Sequence, residues 1–142
     1  MKIAIGLILS CFVFGCTQKN EKQFKNNDYT QFVNPFIGTD GTGHTFPGPS
    51  MPFGMVQPGP DNKDLGWDYT SGYQLKDSTI LGFSNTRASG TGISEFGDIL
   101  LFPFQKKTAS FSAKKITEHA KVGYYKVELS NSITAELTTT ER

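Results

Sequence analysis

The residues with chemistry to offer are concentrated between Asn34 and Asp98, where polar and aromatic side chains sit among glycines. In order they are Asn34-Pro35-Phe36-Ile37-Gly38-Thr39, Gly43-His44-Thr45-Phe46-Pro47-Gly48, Pro52-Phe53-Gly54-Met55-Val56, Gly66-Trp67-Asp68, Ser71-Gly72-Tyr73 and Gly82-Phe83-Ser84. Ser89-Gly90-Thr91-Gly92 and Gly97-Asp98 follow. Trp67 beside Asp68 has the form of a sugar platform. An indole face packs on the apolar CH face of a pyranose, and an acidic neighbour accepts protons from sugar hydroxyls. The chain has 1 Trp among 12 Phe, and such a residue is also a common core occupant, so composition leaves both roles open.

Other chemistries find little support. Gly38 to Gly43 reads Gly-Thr-Asp-Gly-Thr-Gly, which is not a GxGxxG between a strand and a helix, and no Walker lysine follows Gly90-Thr91-Gly92. Ser71, Ser84 and Ser89 lack the Gly-x-Ser-x-Gly of a nucleophile elbow. His44 could act as a base or a metal ligand. The only other histidine of the 2, His119, lies in a charged segment expected to be exposed, so a two-histidine metal site is not expected. A net charge of +1 without a basic stripe points away from nucleic acid.

These residues must be carried by loops on a β scaffold. All 7 Pro, and 12 of the 15 Gly, fall between Pro35 and Pro103, and no window there keeps the i, i+3, i+4 apolar spacing of a helix. Turns, short strands and ordered loops are expected, and such loops display binding residues. Leu100-Leu101-Phe102 reads as a short buried strand. Beyond it the pattern becomes plain alternation. Tyr125, Val127 and Leu129 share one face, Ile133, Ala135 and Leu137 another, with Ser130-Asn131-Ser132 as the turn of an antiparallel hairpin. The chain closes on Thr138-Thr139-Thr140-Glu141-Arg142 without a stop signal, so a fragment of a longer protein is expected.

The amino terminus has a different character. Lys2 precedes a mostly apolar run over residues 3–14, too short to span a bilayer and suited to the core of a secretory signal. Val13-Phe14-Gly15-Cys16 at its end resembles the lipobox of bacterial lipoproteins; an ordinary signal peptide with an incidental cysteine is the alternative. The expected organisation is a signal peptide at 1–15, lipidated Cys16 with a polar tether at 16–28, and one domain at 29–142. Of the 2 Cys, Cys11 would leave with the leader and Cys16 would carry lipid, leaving no thiol for a disulfide or a metal. The expected location is the bacterial cell envelope, anchored to the outer membrane through Cys16.

The ordered series of motifs from Val33-Asn34-Pro35-Phe36-Ile37-Gly38-Thr39 through Gly66-Trp67-Asp68 to Gly97-Asp98-Ile99 resembles the amino-terminal domain of glycoside hydrolase family 92, the bacterial exo-acting α-mannosidases. The resemblance covers residues 32–142. It implies an all-β chain, an incomplete β-sandwich that packs on an (α/α)₆ barrel missing from this sequence. It also implies calcium-dependent, inverting hydrolysis of terminal α-mannosides, so that mannose-containing glycans are the expected partners. An inverting enzyme needs a general acid and a general base roughly 6.5–9.5 Å apart. In the family both carboxylates and the main calcium ligands belong to the barrel, so no catalytic or metal residue is assigned here, and the chain alone is expected to be inactive.

By the same resemblance Trp67 lines the sugar site, with Asp68 beside it and His44, Phe46 and Arg87 as further candidates for substrate binding. Many relatives read Gly-Phe-Ser-His-Thr-His-Leu-Ser-Gly where this chain has Gly82-Phe83-Ser84-Asn85-Thr86-Arg87-Ala88-Ser89-Gly90, which questions the role of that loop. Two other classes compete: a non-catalytic glycan-binding lipoprotein made of the sandwich alone, and a structural envelope protein.

Overall fold

The alternating segment after residue 111 forms the larger of two sheets. The computed structural model describes residues 27–62, 66–87, 97, 99–106 and 111–141. The leader, Cys16, most of the tether and the Ser89-Gly90-Thr91-Gly92 motif therefore lie outside the described residues. Seven strands are present among those described: β1 (Gly59–Asp61), β2 (Thr79–Ile80), β3 (Gly82–Ser84), β4 (Leu100–Leu101), β5 (Ala113–Lys121), β6 (Tyr124–Leu129) and β7 (Thr134–Thr138). The only helical pieces described are two 3₁₀ turns, Thr30–Phe32 and Trp67–Tyr69.

All strand pairs are antiparallel. One sheet has the order β1-β3-β4, the other β2-β5-β6-β7. The chain passes from the larger sheet to the smaller at Leu81, between β2 and β3, where the Leu81 N–H donates to the Asp61 carbonyl at 2.7 Å. The core joins both sheets: Ile80, Ala113, Tyr125, Val127 and Leu129 from one, Phe83 from the other, and Tyr73 from the loop before β2. The fold is the all-β, two-sheet sandwich expected from the sequence.

The hairpin is where alternation placed it. Tyr125, Val127 and Leu129 are buried, and Ala135 and Leu137 pack against them from β7, while Thr134, Glu136 and Thr138 face outward. Ser132 closes the turn at φ 62°. Two expectations need correction. Leu100 and Leu101 do form a strand, but β4 is an edge strand and both side chains are exposed, at 44% and 66%; only Phe102 packs against the core. The longest strand, β5, gave no clear periodic signal. A register irregularity between Lys115 and Thr117 interrupts its alternation, so Ile116 points out and Glu118 points in.

Candidate functional site

Two loops build the surface that carries the sequence's candidate residues. The first, residues 34–48, begins with an Asx turn: the Asn34 side-chain oxygen accepts from the Phe36 N–H at 3.0 Å. It folds back so that the Thr45 N–H donates to the Gly38 carbonyl at 3.0 Å and the Thr45 hydroxyl to the Ile37 carbonyl at 2.9 Å. Gly43 is required in this fold-back, since a Cβ there would lie 2.0 Å from the Gly38 carbonyl oxygen. The next residue, His44, is buried and held at φ 57°, a left-handed conformation that non-glycine residues seldom adopt.

The second loop, residues 66–75, turns on Gly66, whose φ of 137° is open to glycine far more readily than to other residues. Trp67 follows and is 63% exposed. That excludes the core role within the described residues and leaves an indole presented at the surface. His44 meets it edge to face, with ring centroids 5.1 Å apart and planes at 79°. An exposed indole braced by a buried imidazole, with half-buried Asp68 next in the chain, is suited to an apolar ring face with polar edges. The structure brings Trp67 and His44 together, with Asp68 the next residue of the same turn.

Arg87 and Phe46 sit elsewhere in this arrangement. The Arg87 guanidinium is turned inward, with 3% of its side chain exposed. Nε donates to the Gln57 carbonyl at 3.2 Å, Nη1 to the carbonyls of Pro60 (3.2 Å) and Ser71 (2.6 Å), and Nη2 to the Gly59 carbonyl (2.7 Å), the Ser84 hydroxyl (2.9 Å) and Asp61 (3.2 Å). Burial pulls its pKa down from the usual range, and the Asp61 carboxylate opposes that. Phe46 is half-buried beneath it, with the guanidinium carbon 4.6 Å from the ring centroid. The donors of Arg87 are already occupied by six protein oxygens, so its place is in the framework rather than against a ligand, and Phe46 packs with it.

A second polar cluster roots the 66–75 loop in the larger sheet. The Tyr73 hydroxyl donates to Glu118, 2.8 Å from either carboxylate oxygen. Tyr125 donates to Glu118 at 2.6 Å and Lys115 at 2.9 Å. Burial first, and the Glu118 charge second, push both phenols above the ordinary tyrosine range. Sequence reading missed Glu118 and Gln74. Both are polar residues without a motif, and only the interrupted register of β5 and the close approach of two loops turn them inward.

Residues 32–142 match the family description Glycosyl hydrolase family 92 N-terminal domain. The chain belongs to glycosyl hydrolase family 92. Within that family it is similar to an α-mannosidase of Bacteroides thetaiotaomicron solved with mannoimidazole bound, with 37% identity and a TM-score of 0.74, covering 80% of this chain and 17% of that one. A second solved glycosyl hydrolase of family 92 is 27% identical with a TM-score of 0.70, over 81% of this chain and 18% of that one. An uncharacterized secreted glycosidase of Arthroderma benhamiae is 32% identical over 127 residues, which is 80% of this chain and 16% of that protein. The family 92 chain described here therefore spans about a sixth of the length of these relatives.

Proposed function

We propose that this chain is the amino-terminal, carbohydrate-recognising part of a calcium-dependent, inverting α-mannosidase that acts on terminal α-mannosides of glycans. The observation that carries the reading is Trp67, an exposed indole on the Gly66 turn braced by buried His44, in a chain of family 92. That a solved relative holds mannoimidazole supports a mannose-type ligand. In this reading Trp67 packs on a pyranose face and Asp68 accepts from its hydroxyls.

The chain's own carboxylates supply neither the acid nor the base. Among the described residues no three His, Cys, Asp or Glu side chains converge as a metal site, and the reading assigns calcium to the rest of the protein. Asp61 is engaged by Arg87, and Glu118 by two tyrosines and Lys115. The proposal places the acid–base pair and calcium on a barrel beyond this sequence, and it places Cys16 in a lipid anchor to the outer membrane.

Kinetics on an aryl α-mannoside test the reading. The complete gene product should turn it over with inversion and lose activity on calcium removal, while the 142-residue chain should be inactive. Turnover by the pure chain would overturn the assignment of the chemistry to other residues. Cys16→Ala should move the protein out of the membrane fraction; unchanged partition would remove the anchor.

A further inference from the structure

The exposed ring of Trp67 needs something to hold it, because a three-residue 3₁₀ turn has little rigidity of its own. Gln74 is fully buried and stands where the two site loops meet. Its side-chain Nε2 donates to the carbonyl of Asp68, the residue after Trp67, and to the carbonyl of Gly41 at 2.8 Å, three residues before His44. One amide nitrogen thus joins the turn that carries the indole to the loop that carries the imidazole.

The orientation of the amide is forced. Two carbonyls face it, and a flip would set the amide oxygen against both. With the nitrogen in place, Gln74 Oε1 is buried without a hydrogen-bond partner. A buried acceptor of this kind is unfavourable, and the two bonds made by the NH₂ group on the same side chain offset that cost.

Gln74 is itself held from below. Its N–H donates to Asn62 Oδ1, and the Asn62 amide donates to the Thr79 carbonyl at 2.7 Å. The preceding residue, Tyr73, is tied to Glu118 on β5. Consecutive residues therefore do opposite jobs: Tyr73 fastens the loop to the sheet, and Gln74 reaches to the turn.

We propose that Gln74 is the positioning residue that fixes the Trp67 turn against the His44 loop. It does not touch substrate; it sets the angle and place at which the indole is offered. The inference rests on the reading of Trp67 as the sugar-facing ring, but its first readout does not. Trp67 is the sole tryptophan of these 142 residues, so in this chain indole emission excited beyond the tyrosine absorption band reports on it alone.

The experiment compares wild type, Gln74→Met, Gln74→Asn and the core control Val127→Ala, each checked for a cooperative melt. Gln74→Met keeps length but removes both donors; Gln74→Asn keeps the amide but cannot reach both carbonyls. The expected result is lower anisotropy and greater acrylamide quenching of the Trp67 emission in Gln74→Met, a smaller change in Gln74→Asn, and none in folded Val127→Ala. In the complete gene product, kcat/KM on the aryl α-mannoside should fall about two- to tenfold for Gln74→Met, the scale of a lost hydrogen bond. An unchanged indole signal in folded Gln74→Met would overturn the proposal. A changed signal with wild-type kcat/KM in both Gln74→Met and Trp67→Ala would leave Gln74 as the positioner and remove the sugar-site reading. Should both Gln74 variants fail to fold, exchange of the Gln74 side-chain amide protons in wild type decides: protection supports the bridge, and free exchange overturns it.

Discussion

Around Arg87 the molecule buries a full charge, whereas around Trp67 it exposes its largest aromatic ring. The two regions share Ser71, whose carbonyl accepts from Arg87 and whose hydroxyl donates to the Thr45 carbonyl of the His44 loop at 2.9 Å. Burying the guanidinium is tolerable because its donors meet oxygens from several segments and one carboxylate. Exposing the indole has no such compensation within the described residues. The contrast separates a buried region whose polar groups are satisfied within the chain from a loop that presents an aromatic ring to the surface.

The comparison breaks most clearly at Arg87. Arg87→Met would take the guanidinium away from Asp61, which keeps the Ser84 N–H, and from four carbonyls, three of them in buried bonds, and the expected loss is about 3–5 kcal/mol, the range for breaking a buried pair. Urea unfolding would read it. A loss below about 1 kcal/mol would place Arg87 outside the framework.

The next effect is alkaline. Tyr73 and Tyr125 hold their protons more firmly folded than unfolded, burial being the main cause and Glu118 the next. A raised folded pKa means that the stabilisation is complete below the unfolded value near 10 and declines as pH rises past it. Each tyrosine should contribute a slope of about −1.4 kcal/mol per pH unit above pH 10, so Tyr125→Phe should halve the slope the pair produces. Denaturation followed between pH 9 and 12, on the order of one unit per step, checks this. A slope equal in wild type and variant would show that the phenols titrate in the fold.

Trp67→Ala sharpens the other side. An exposed position predicts a stability change within about 0.5 kcal/mol. The sugar contact predicts a loss of about 1–3 kcal/mol in kcat/KM of the complete product, or roughly 5- to 150-fold. The pH optimum should hardly move. A large drop in melting temperature with kcat/KM intact would return Trp67 to a packing role.

Smallest of all is the pair Lys126–Glu136 across β6 and β7, 3.5 Å apart with side chains 34% and 53% exposed. Lys126→Ala should change stability by about 0.5 kcal/mol or less, since solvent screens such pairs. A loss near that of Arg87→Met would mean that exposure does not separate the two kinds of ion pair.

Sequence alone determined the parts of this protein that rest on local periodicity and on motif order. Alternation at Tyr125, Val127, Leu129, Ala135 and Leu137 specified the hairpin, because a period of two in a half-buried strand leaves a single choice of inward face. The motif series was enough for the family, and glycine density was enough for loops. The tertiary structure decided what no window of sequence contains. Arg87 is buried because carbonyls from residues 57, 59, 60 and 71 converge on it: the pairing of β1 with β3 supplies the first three, and the Asn62 N–H bond to the Gly72 carbonyl brings in the loop with the fourth. Glu118 faces inward because β5 is irregular in register and two tyrosines wait for its charge. Leu100 and Leu101 are exposed because sheet order, not their apolarity, put β4 on an edge. Trp67 stands outside because Gly66 turns the chain and Gln74 grips the next carbonyl, contacts set by the meeting of two loops. Hydrogen-bond satisfaction over long sequence separation is a property of the folded chain, and it is what sorted framework from site here.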